Sequence, residues 1–555
     1  MIYEIVPLKF VLRRIDPAKV LFFDVETDGL YGDIMLAQFM QTGWEEALLV
    51  ERPDTTLLSQ LVNNSEIVAH TVSYELSCTN TIPEKFHCTQ MAGKLHFFKE
   101  DKMTLDQLYT YALRYDPYVE AGLDKKVMQK TNWAGTLTPQ HYLYAAIDVY
   151  YLPEVWAVLE PTIQDDNYKL DIITIKHCQE LEKRGLPLLS LVQEQKITIK
   201  EGQDLEAQLP MNPRSPTQVA KIMGMTDGTG ADKLAVLEAQ GGDRGAMATM
   251  IRQARVLSKY DSTYLKKMVG RSRWYGHFAP RTKSGRLASS DNNLQNLPRK
   301  MKKFIGFEAI DDRVIISADF AQLELRTIAA ITGDTTMVKL FQEGVDVHGY
   351  VAEMLFGKDY SKDQRYIAKT ANFSLLYGAS AKTFAAMLLK ATGIAITESA
   401  AQVIKTKWLA TWKGIASWQQ TAIKSWKAGN YWFTPMGRKY KAKMMTDFMN
   451  IRNQGAGGEV AKLGFNYIMK GFDFEDAYMI NFVHDSFLAE CPNDPKIYEP
   501  IAQLFADSLQ ESWKEYGKVV DLRGIPMPVD VGVALNWADA DGMADNCLFK
   551  IERKA

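Results

Sequence analysis

Two aspartates in the C-terminal half of this 555-residue chain lie beside patterns typical of buried strands. Asp319 directly follows the apolar, β-branched run Val314–Ala318. Asp485 stands at the predicted turn between the strand-like segments Tyr478–Val483 and Ser486–Glu490. A lone aspartate at such a place is more often a helix cap or a turn residue. Two carboxylates at the rim of one sheet, however, can bind divalent metal ions.

A second group of polar residues lies on one predicted helix between these two acids. Four side chains repeat every four residues and form a slowly drifting stripe on one helix face: Arg365, Lys369, Phe373 and Tyr377. Ser361 and Gln364 predict a capping box just before it. The cations can contact phosphate oxygens and the aromatic rings a base, although either pair alone is typical of an ordinary surface helix. Together with the two acids, the stripe favours nucleotidyl transfer.

A further set of acids lies near the N-terminus. Asp24 and Glu26 alternate along the strand-like run Val20–Val25 and beyond, so both point to one face. Tyr144 and Asp148 share one face of a helix predicted over Pro139–Leu159. Neighbouring carboxylates repel unless a cation lies between them, which indicates a second metal site. The alternative is an edge strand whose acids are solvated.

The composition fits a multidomain globular protein. Of the residues, 46% are hydrophobic and 24% charged. The sequence contains no run of 18 uncharged apolar residues and no signal-peptide pattern, so we expect no membrane association. Five scattered cysteines form no CxxC pair and favour a reducing cytoplasm. We expect a monomer.

The net charge of −2 hides a strongly basic segment. Between Ile251 and Lys303 there are fourteen Lys and Arg residues against two acids, a local charge of +12, which leaves −14 for the remainder. Five aromatic residues lie among these cations: Tyr260, Tyr264, Trp274, Tyr275 and Phe278. This mixture is typical of a surface that contacts phosphates and stacks on bases. The alternative is a solvated basic face.

The chain has three zones of different pattern. Residues 20–155 alternate strand and helix patterns and predict an α/β domain, with strands at Val20–Val25 and Ile67–His70. Residues 168–270 are helical and charged. Two glycine-rich stretches, 224–230 and 241–242, are predicted loops between helices and not phosphate-binding loops, because no strand precedes them. The remainder mixes buried strands with long helices.

Three segments resemble the motifs of family A (polymerase I-like) DNA polymerases. Residues 317–326, SADFAQLELR, resemble motif A; Arg365 to Gly378 resembles motif B; Val483-His484-Asp485 resembles motif C. Supporting similarities lie at 262–264, 284–290, 293–298, 346–348, 450–455 and 536–537, and the resemblance covers nearly all of residues 170–540.

The resemblance implies a role for each matching residue. Asp319 and Asp485 would bind two Mg²⁺ ions, for which Mn²⁺ can substitute, and Lys369 would assist catalysis. Glu324 would be the steric gate that excludes a 2′-hydroxyl. The residues assigned to the nucleotide are Gln322, Glu324, His348, Arg365, Lys369, Phe373 and Tyr377. Those assigned to primer–template DNA are Lys259, Tyr264, Arg286, Asn293, Gln295, Asn450, Gln454 and His484.

Three positions depart from the family pattern. Ser486 stands where the family usually has Glu after the motif C aspartate, which removes an acid beside the metals. Ser374 replaces the usual Gly after Phe373, and Asp541 replaces a common His. These differences bear on kinetics and fidelity, because both metal-binding aspartates are present.

The N-terminal acids resemble those of the DEDD-type 3′–5′ exonucleases, in the subclass that contains a tyrosine. Residues 123–126, Trp133, 137–139 and 144–148 resemble ribonuclease D and the polymerase I proofreading domains. The resemblance implies that Asp24, Glu26, Glu75 and Asp148 bind two metal ions and that Tyr144 positions the attacking water. Glu75 stands where Asp is usual, and Thr71 where Asn is usual.

The predicted fold is multidomain α/β and α+β: a ribonuclease H-like exonuclease domain followed by a right-hand polymerase with palm, fingers and thumb. The expected domains are exonuclease 1–165, thumb 166–270, first part of the palm 271–335, fingers 336–435 and second part of the palm 436–555. We expect no preceding 5′-nuclease domain.

The predicted function is a proofreading, template-directed DNA polymerase that uses primer–template DNA and dNTPs. We expect a replicative phage enzyme in the bacterial host cytoplasm, with possible accessory proteins. One alternative is a ribonuclease D-like nuclease whose C-terminal half binds nucleic acid without catalysis. Another is a single-subunit RNA polymerase, which Glu324 and the exonuclease-like half disfavour.

Overall fold

The first 160 residues form a sheet covered by helices. The computed structural model describes residues 2–98 and 103–552. The elements of the first unit are β1 (Tyr3–Ile5), α1 (Leu8–Arg14), β2 (Leu21–Thr27), β3 (Ile34–Met40), β4 (Ala47–Glu51), α2 (Thr55–Asn63), β5 (Ile67–Ala69), α3 (Val72–Thr79), β6 (Phe86–Cys88), α4 (Thr89–His96), α5 (Leu105–Leu113), α6 (Pro117–Glu120), α7 (Lys125–Met128), α8 (Pro139–Tyr150) and α9 (Leu152–Leu159).

Strand β2 lies inside a six-stranded mixed sheet of order β1-β4-β3-β2-β5-β6. It pairs antiparallel with β3 and parallel with β5. The α/β prediction for this zone is therefore confirmed. The alternative of an edge strand is wrong, because β2 lies between β3 and β5, although β5 pairs only with Leu21 and Phe22 of β2. The predicted helix Pro139–Leu159 is two helices that part at Tyr151, with Pro153 in the first turn of α9, where its missing N–H is tolerated.

A helical zone follows the first unit. Its elements are α10 (Asp166–Arg184), β7 (Leu186–Pro187), α11 (Val192–Ala207), α12 (Pro216–Met223), α13 (Ala231–Gln240), α14 (Gly242–Tyr260) and α15 (Lys266–Met268). A small core of its own includes Val219, Met223 and Leu234. The glycine-rich stretches are loops between helices, as predicted; Gly224 ends α12 in the left-handed conformation with φ 58°.

Helix α10 belongs to two cores. Its Tyr168 and Ile175 pack in the core of the first unit, and its Cys178 and Leu181 pack in the large core of the C-terminal half. Asp165 begins the helix by accepting hydrogen bonds from the backbone N–H groups of residues 167 and 168. The residue range predicted for the thumb thus begins with a helix that packs against other parts of the chain.

The C-terminal half is built on a second sheet. Its elements are β8 (Arg273–Trp274), β9 (His277–Ala279), β10 (Ala288–Ser290), β11 (Arg313–Phe320), α16 (Leu323–Thr332), α17 (Thr335–Gln342), α18 (Val347–Phe356), α19 (Lys362–Leu375), α20 (Ala381–Thr392), α21 (Glu398–Thr411), α22 (Lys413–Lys427), β12 (Trp432–Phe433), β13 (Lys439–Tyr440), α23 (Met445–Gly471), β14 (Tyr478–Val483), β15 (Ser486–Pro492), α24 (Pro495–Tyr516), β16 (Val529–Ala534), α25 (Trp537–Asp541) and β17 (Phe549–Glu552).

Strand β11 is the centre of this antiparallel five-stranded sheet, whose order is β14-β15-β11-β16-β17. Residues Val314–Ala318 are fully buried, which explains why the sequence shows an unbroken apolar run there. The strand continues to Phe320, so Asp319 lies within it and not after it. The predicted hairpin around residues 484 and 485 is confirmed as β14 and β15.

Helix α19 begins as the sequence predicts. Ser361 accepts from the backbone N–H of Gln364, and the Gln364 side chain accepts from the backbone N–H of Ser361, which confirms the capping box. The helix ends at Leu375, so Tyr377 lies beyond it. In the described part of the chain, none of the helices has the length and apolar character to cross a membrane.

Candidate active sites

The pairing of strands brings Asp319 and Asp485 together. Asp319 on β11 lies opposite Ser486 on β15, and Asp485 directly precedes Ser486 in the hairpin turn. His484 occupies the left-handed region at φ 57° and closes this turn. Paired residues on neighbouring strands lie about 5 Å apart at their Cα atoms. Two acids 166 positions apart in sequence therefore meet at one edge of the sheet.

The electrostatics of this edge show an excess of negative charge. The carboxylate of Asp319 is reachable by solvent, yet the surrounding protein displaces enough water to raise its pKa well above the usual range. Asp485, Asp541 and Asp530 raise it further. Burial likewise raises the pKa of Asp485 to about 6, against the opposing charge of Arg286. Clustered carboxylate oxygens of this kind are the ligands that Mg²⁺ and Mn²⁺ prefer.

Glu324 lies near Asp485, and each of its two carboxylate oxygens accepts a hydrogen bond. Arg286 donates to one of its oxygens at 2.6 Å, and the Tyr377 hydroxyl donates to the other at 3.0 Å. Asn453 donates to both the Glu324 backbone carbonyl and the Tyr377 hydroxyl at 2.9 Å. Asn453 was not singled out from the sequence. Asn453 lies next to Asn450 and Gln454, which were predicted to contact DNA. The sequence alone does not show which face of α23 is buried, so it does not show that Asn453 faces Glu324.

The stripe on α19 faces outward at its cationic end. Arg365 and Lys369 are exposed, and Phe373 is 37% exposed, which is high for a phenylalanine. Arg365 donates two hydrogen bonds to Asp346, at 2.6 and 3.1 Å. The structure thus brings the two cations and Phe373 onto one helix face, while Tyr377 reaches the same region from the following turn.

A buried hydrogen-bond chain fixes the protonation of His348. Trp408 Nε1 can only donate, so the atom of Asn372 that lies 2.7 Å from it is the amide oxygen. The Asn372 amide nitrogen then donates to His348 Nδ1 at 2.9 Å. A nitrogen that accepts carries no proton, so His348 is neutral and its proton lies on Nε2. Burial lowers the His348 pKa to about 4; Arg365 and Lys369 act in the same direction and Asp346 opposes them.

The residues predicted to contact DNA occupy different environments. Among them, Lys259, Asn293 and His484 are exposed. Gln322, which was predicted to contact the nucleotide, is exposed as well. Tyr264 is half-buried and donates to the Asn296 carbonyl at 3.2 Å.

Gln295 departs from its predicted role as a DNA contact, because it is 6% exposed. Its side chain donates to the Phe482 carbonyl at 2.9 Å. Gln295 therefore supports β14, the strand that leads to Asp485.

The aromatic side chains of the basic segment differ from the sequence interpretation. Tyr260, Trp274 and Phe278 are 3%, 6% and 1% exposed, so their rings fill the core and are not free to stack on bases. Tyr275 remains 47% exposed and Tyr264 half-buried. In this segment the strands and helices each have one buried face, which carries these aromatic residues, and one exposed face, which carries the cations.

A second acidic site lies in the first unit. Asp24 and Glu26 point to one face of β2, and α8 brings Asp148 to them; one carboxylate oxygen from each lies within 4.8 Å of the others. Burial, followed by the charge of Asp148, raises the pKa of Asp24 to about 8. Burial also raises the pKa of Asp148 to about 6, although Lys125 opposes this shift. The oxygen donors and their crowding fit divalent cations.

Glu75 completes this acidic site from α3. It is 2% exposed, and burial and the neighbouring Asp24 raise its pKa well above the usual range. Its Oε2 is buried without a hydrogen-bond partner among the described residues. The Tyr144 hydroxyl lies close enough to Asp148 to lower the pKa of that carboxyl, and Tyr118, which no sequence motif indicated, donates a hydrogen bond to Asp148. All five residues predicted for this site are thus brought together.

A cavity of about 680 Å³ opens in front of these acids. Its walls include Tyr74, Trp133 and Tyr144 from the first unit, and Arg281, Ser290 and Asp291 from the C-terminal half. The Lys125 ammonium lies 4.7 Å from the centre of the Tyr118 ring and 3.7 Å from Asp106.

Comparison with known proteins gives one family. The family model for DNA polymerase family A matches residues 177–539. DNA polymerase I of Aquifex aeolicus is 25% identical over 588 aligned positions, which cover 96% of this chain and 98% of that protein. DNA polymerase I of Deinococcus radiodurans is 30% identical over 54% of this chain, but only 32% of its own length is covered. For the thermostable DNA polymerase I of Thermus aquaticus, 27% identical, the shares are 60% and 42%.

The fold is also similar to a solved structure. The POL domain of Pol1 from M. smegmatis, in complex with a DNA primer-template and dNTP, superposes with a TM-score of 0.75. The alignment covers 94% of this chain and 96% of that one at 17% identity.

Proposed function

Since this chain belongs to DNA polymerase family A and is a polymerase I-like, template-directed DNA polymerase, we propose that it extends a primer 3′ end with dNTPs at the Asp319–Asp485 site. We further propose that it removes nucleotides from that end at the Asp24–Glu26–Glu75–Asp148 site. The observation that carries the first proposal is the strand register that sets Asp485 beside Asp319.

Asp319 and Asp485 would hold two Mg²⁺ ions, for which Mn²⁺ can substitute. When bound, these ions activate the primer 3′-hydroxyl and neutralise charge on the α-phosphate and the leaving pyrophosphate. The raised pKa values of both acids, caused mainly by burial, fit this assignment, because a bound cation would stabilise the charged carboxylates. Asp319 and Asp485 thus fix where the primer end and the α-phosphate must meet.

The residues of α18 and α19 would bind the triphosphate. Lys369 and Arg365 supply positive charge, and Arg365 would exchange its contact with Asp346 for a phosphate oxygen. Neutral His348 would donate from Nε2 to the same group. Phe373 would pack against the incoming base. Gln322 is exposed and precedes the first residue of α16 as its N-cap.

The gate and the duplex contacts would select the substrate. Glu324, held by Arg286 and Tyr377, would occupy the space beneath the sugar that a 2′-hydroxyl needs. A Glu324 side chain held in this position would favour dNTPs over rNTPs. This argues against the RNA polymerase alternative. Asn450 and Gln454 lie one turn apart on α23 and would contact minor-groove acceptors, which are nearly the same for every correct pair.

The exonuclease proposal rests on the first unit. The mixed sheet, with a hairpin on one side of β2 and parallel strands on the other, supports the ribonuclease H-like prediction. Three carboxylates within reach of one ion, with Glu75 beside them, support metal-dependent hydrolysis. The Tyr144 hydroxyl, which contacts Asp148, would orient the attacking water.

Two isosteric substitutions separate the activities. Asp485→Asn should lower primer extension in Mg²⁺ and dNTPs by about a hundredfold or more and leave degradation of a single strand intact. Asp24→Asn should do the opposite. Normal extension by Asp485→Asn would overturn the metal assignment. Extension that is absent in the unsubstituted enzyme, with degradation retained, would favour the ribonuclease D-like alternative.

The remaining roles stay predictions from the sequence and from the resemblance. They comprise a replicative task for a bacteriophage in the bacterial host cytoplasm, a monomeric state and possible accessory proteins. The predicted division into exonuclease, thumb, palm and fingers belongs to the same group, as do the individual contacts of Lys259, Tyr264, Asn293 and His484 with DNA.

A further inference from the structure

We propose that Arg281, a residue of the polymerase half, is a substrate-binding residue of the exonuclease site, where its guanidinium binds a phosphate of the single strand. The inference rests on the proposed exonuclease function. It concerns a residue outside the first unit, in the loop 280–287 that joins β9 to β10.

This loop is fastened to the first unit beside the acidic cavity. The Lys94 ammonium donates to the Arg281 carbonyl at 3.2 Å, and Arg281 Nη2 lies 3.5 Å from Ser73 Oγ on α3. Nearby, the Tyr31 ring stacks on His277 of β9, with ring centres 3.7 Å apart. The wall that Arg281 contributes to the cavity is therefore anchored at several points.

The cavity is lined by more acidic than basic residues, so a negatively charged strand would be repelled unless a cation such as Arg281 binds it. Six of its lining residues are acidic: Asp24, Glu26, Asp28, Glu75, Asp148 and Asp291. Two are basic, Lys125 and Arg281. Lys125 is engaged with Asp106 and the Tyr118 ring. A nucleic-acid strand brings one negative charge per phosphate, so the positive charge of Arg281 makes its entry less unfavourable.

Arg281 also has donor capacity to spare. Its Nη1 has no hydrogen-bond partner among the described residues and its Nη2 has only Ser73, whereas its Nε is buried and out of a ligand's reach. Its contact with Ser73 is at the outer limit for a hydrogen bond. A guanidinium carries five N–H donors in a planar fork that matches two phosphate oxygens. A phosphate in the cavity would satisfy the N–H donors on Nη1 and Nη2 that the protein leaves unused.

Steady-state degradation of a 5′-labelled single-stranded oligonucleotide in Mg²⁺ tests the proposal. Arg281→Ala should raise KM about tenfold or more, and Arg281→Lys should restore part of the loss. Inhibition by dTMP, which carries the same phosphate, should weaken in Arg281→Ala by a similar factor. Primer extension should stay within about twofold of the unsubstituted enzyme, which also shows that the variant is folded.

Lys126→Ala is the matched control, because Lys126 is an exposed cation of the first unit outside the cavity wall. Unchanged KM and unchanged dTMP inhibition in Arg281→Ala would overturn the proposal. So would equal losses in Lys126→Ala and Arg281→Ala, which would indicate a general charge effect. An unsubstituted enzyme that extends primers but degrades no strand would overturn the exonuclease function itself, a result distinct from normal degradation by Arg281→Ala.

Discussion

At the scale of the residue, His348 shows how a buried neighbour can set the chemistry of an exposed site. The chain from Trp408 through Asn372 leaves one consistent arrangement of hydrogens, with the His348 proton on Nε2. Because its pKa lies near 4, His348 stays neutral around pH 7. A neutral donor binds a phosphate oxygen without a change of protonation during the reaction.

Asn372→Asp should make dNTP binding depend on pH. A carboxylate at 372 still accepts from Trp408 but also accepts from His348, so Nδ1 gains a proton and the His348 pKa rises. Above that raised pKa, Nε2 loses its hydrogen and no longer donates to phosphate. KM for dNTP in primer extension, measured between pH 6.5 and 8.5, should therefore increase with pH more in the variant than in the unsubstituted enzyme.

The double variant Asn372→Asp, His348→Gln is the control for this prediction. Glutamine does not titrate, so the additional slope of KM against pH should vanish. A slope that persists in the double variant would place its origin elsewhere. The charged groups facing His348 are Asp346, Arg365 and Lys369, and all three are unchanged in both variants.

The sequence could reveal Asp319, Asp485, Asp24 and Glu26 because each belongs to a short local pattern. It could not reveal Asn372, Asn453 or Tyr118, since their roles come from partners distant in the chain. Nor could it show that Gln295 and Trp274 are buried, because polar and aromatic residues in a basic segment look alike whether they face the core or the solvent.

At the scale of the element, α10 is tied to the C-terminal half by a buried cluster of charges. Asp171 is fully buried and accepts from Arg438 at 2.7 Å and from Lys462 on α23 at 2.5 Å. Burial alone would raise the Asp171 pKa, but the two cations hold it below its usual range. The cluster joins α10 to two segments that lie 267 and 291 positions further along the chain.

Asp171→Asn should lower the free energy of unfolding by about 3–5 kcal/mol, because it leaves two buried cations without a counter-charge. Urea unfolding at pH 7 measures this. Asp166→Asn on the same helix is the control: its contact with Lys169 is long, at 3.9 Å, and exposed, so the change should stay within about 0.5 kcal/mol. Equal effects of the two substitutions would contradict the role of the cluster.

The lowered pKa of Asp171 also determines how the stability of the fold changes with pH. The folded pKa of Asp171 lies below the unfolded value, so its contribution to stability is present above the ordinary aspartate pKa and is lost as the pH falls through the folded pKa. The difference in stability between the unsubstituted enzyme and Asp171→Asn should therefore shrink in acid.

The presence of individual helices and strands was easier to predict from the sequence than their ends or their pairing partners. The apolar run of β11, the hairpin of β14 and β15 and the capping box of α19 are local patterns, and each is present. The ends were less predictable: β11 continues through Asp319 because the sheet pairs it on both sides, and the helix predicted over Pro139–Leu159 breaks at Tyr151. Pairing partners and helix breaks depend on tertiary contacts that a single sequence does not display.

At the scale of the whole molecule, the two cores share α10. Tyr168 lies in the first core, where its hydroxyl accepts from the Cys88 backbone N–H at 3.1 Å, and Leu181 lies in the second. A rigid helix that is buried in both cores links their stabilities. We therefore expect the two halves to unfold together.

Tyr168→Ala should lower the thermal inactivation temperature of primer extension and of strand degradation by the same amount, since it removes about 3–5 kcal/mol of packing from the shared helix. Residual activities after heating at a series of temperatures give both curves. Tyr115→Ala is the control, because Tyr115 is 39% exposed and belongs to the loop between α5 and α6. Loss of degradation at a clearly lower temperature than extension would show that the halves unfold independently.

The loop 280–287 has a geometric consequence. Arg281 reaches the acidic cavity of the first unit, and Arg286, five positions later, reaches Glu324 beside Asp485. An extended chain covers at most about 3.6 Å per residue, so the Cα atoms of the two arginines are separated by no more than about 18 Å. That distance is no longer than roughly five steps along a DNA strand, so a single short loop supplies one arginine to each of the two proposed active sites.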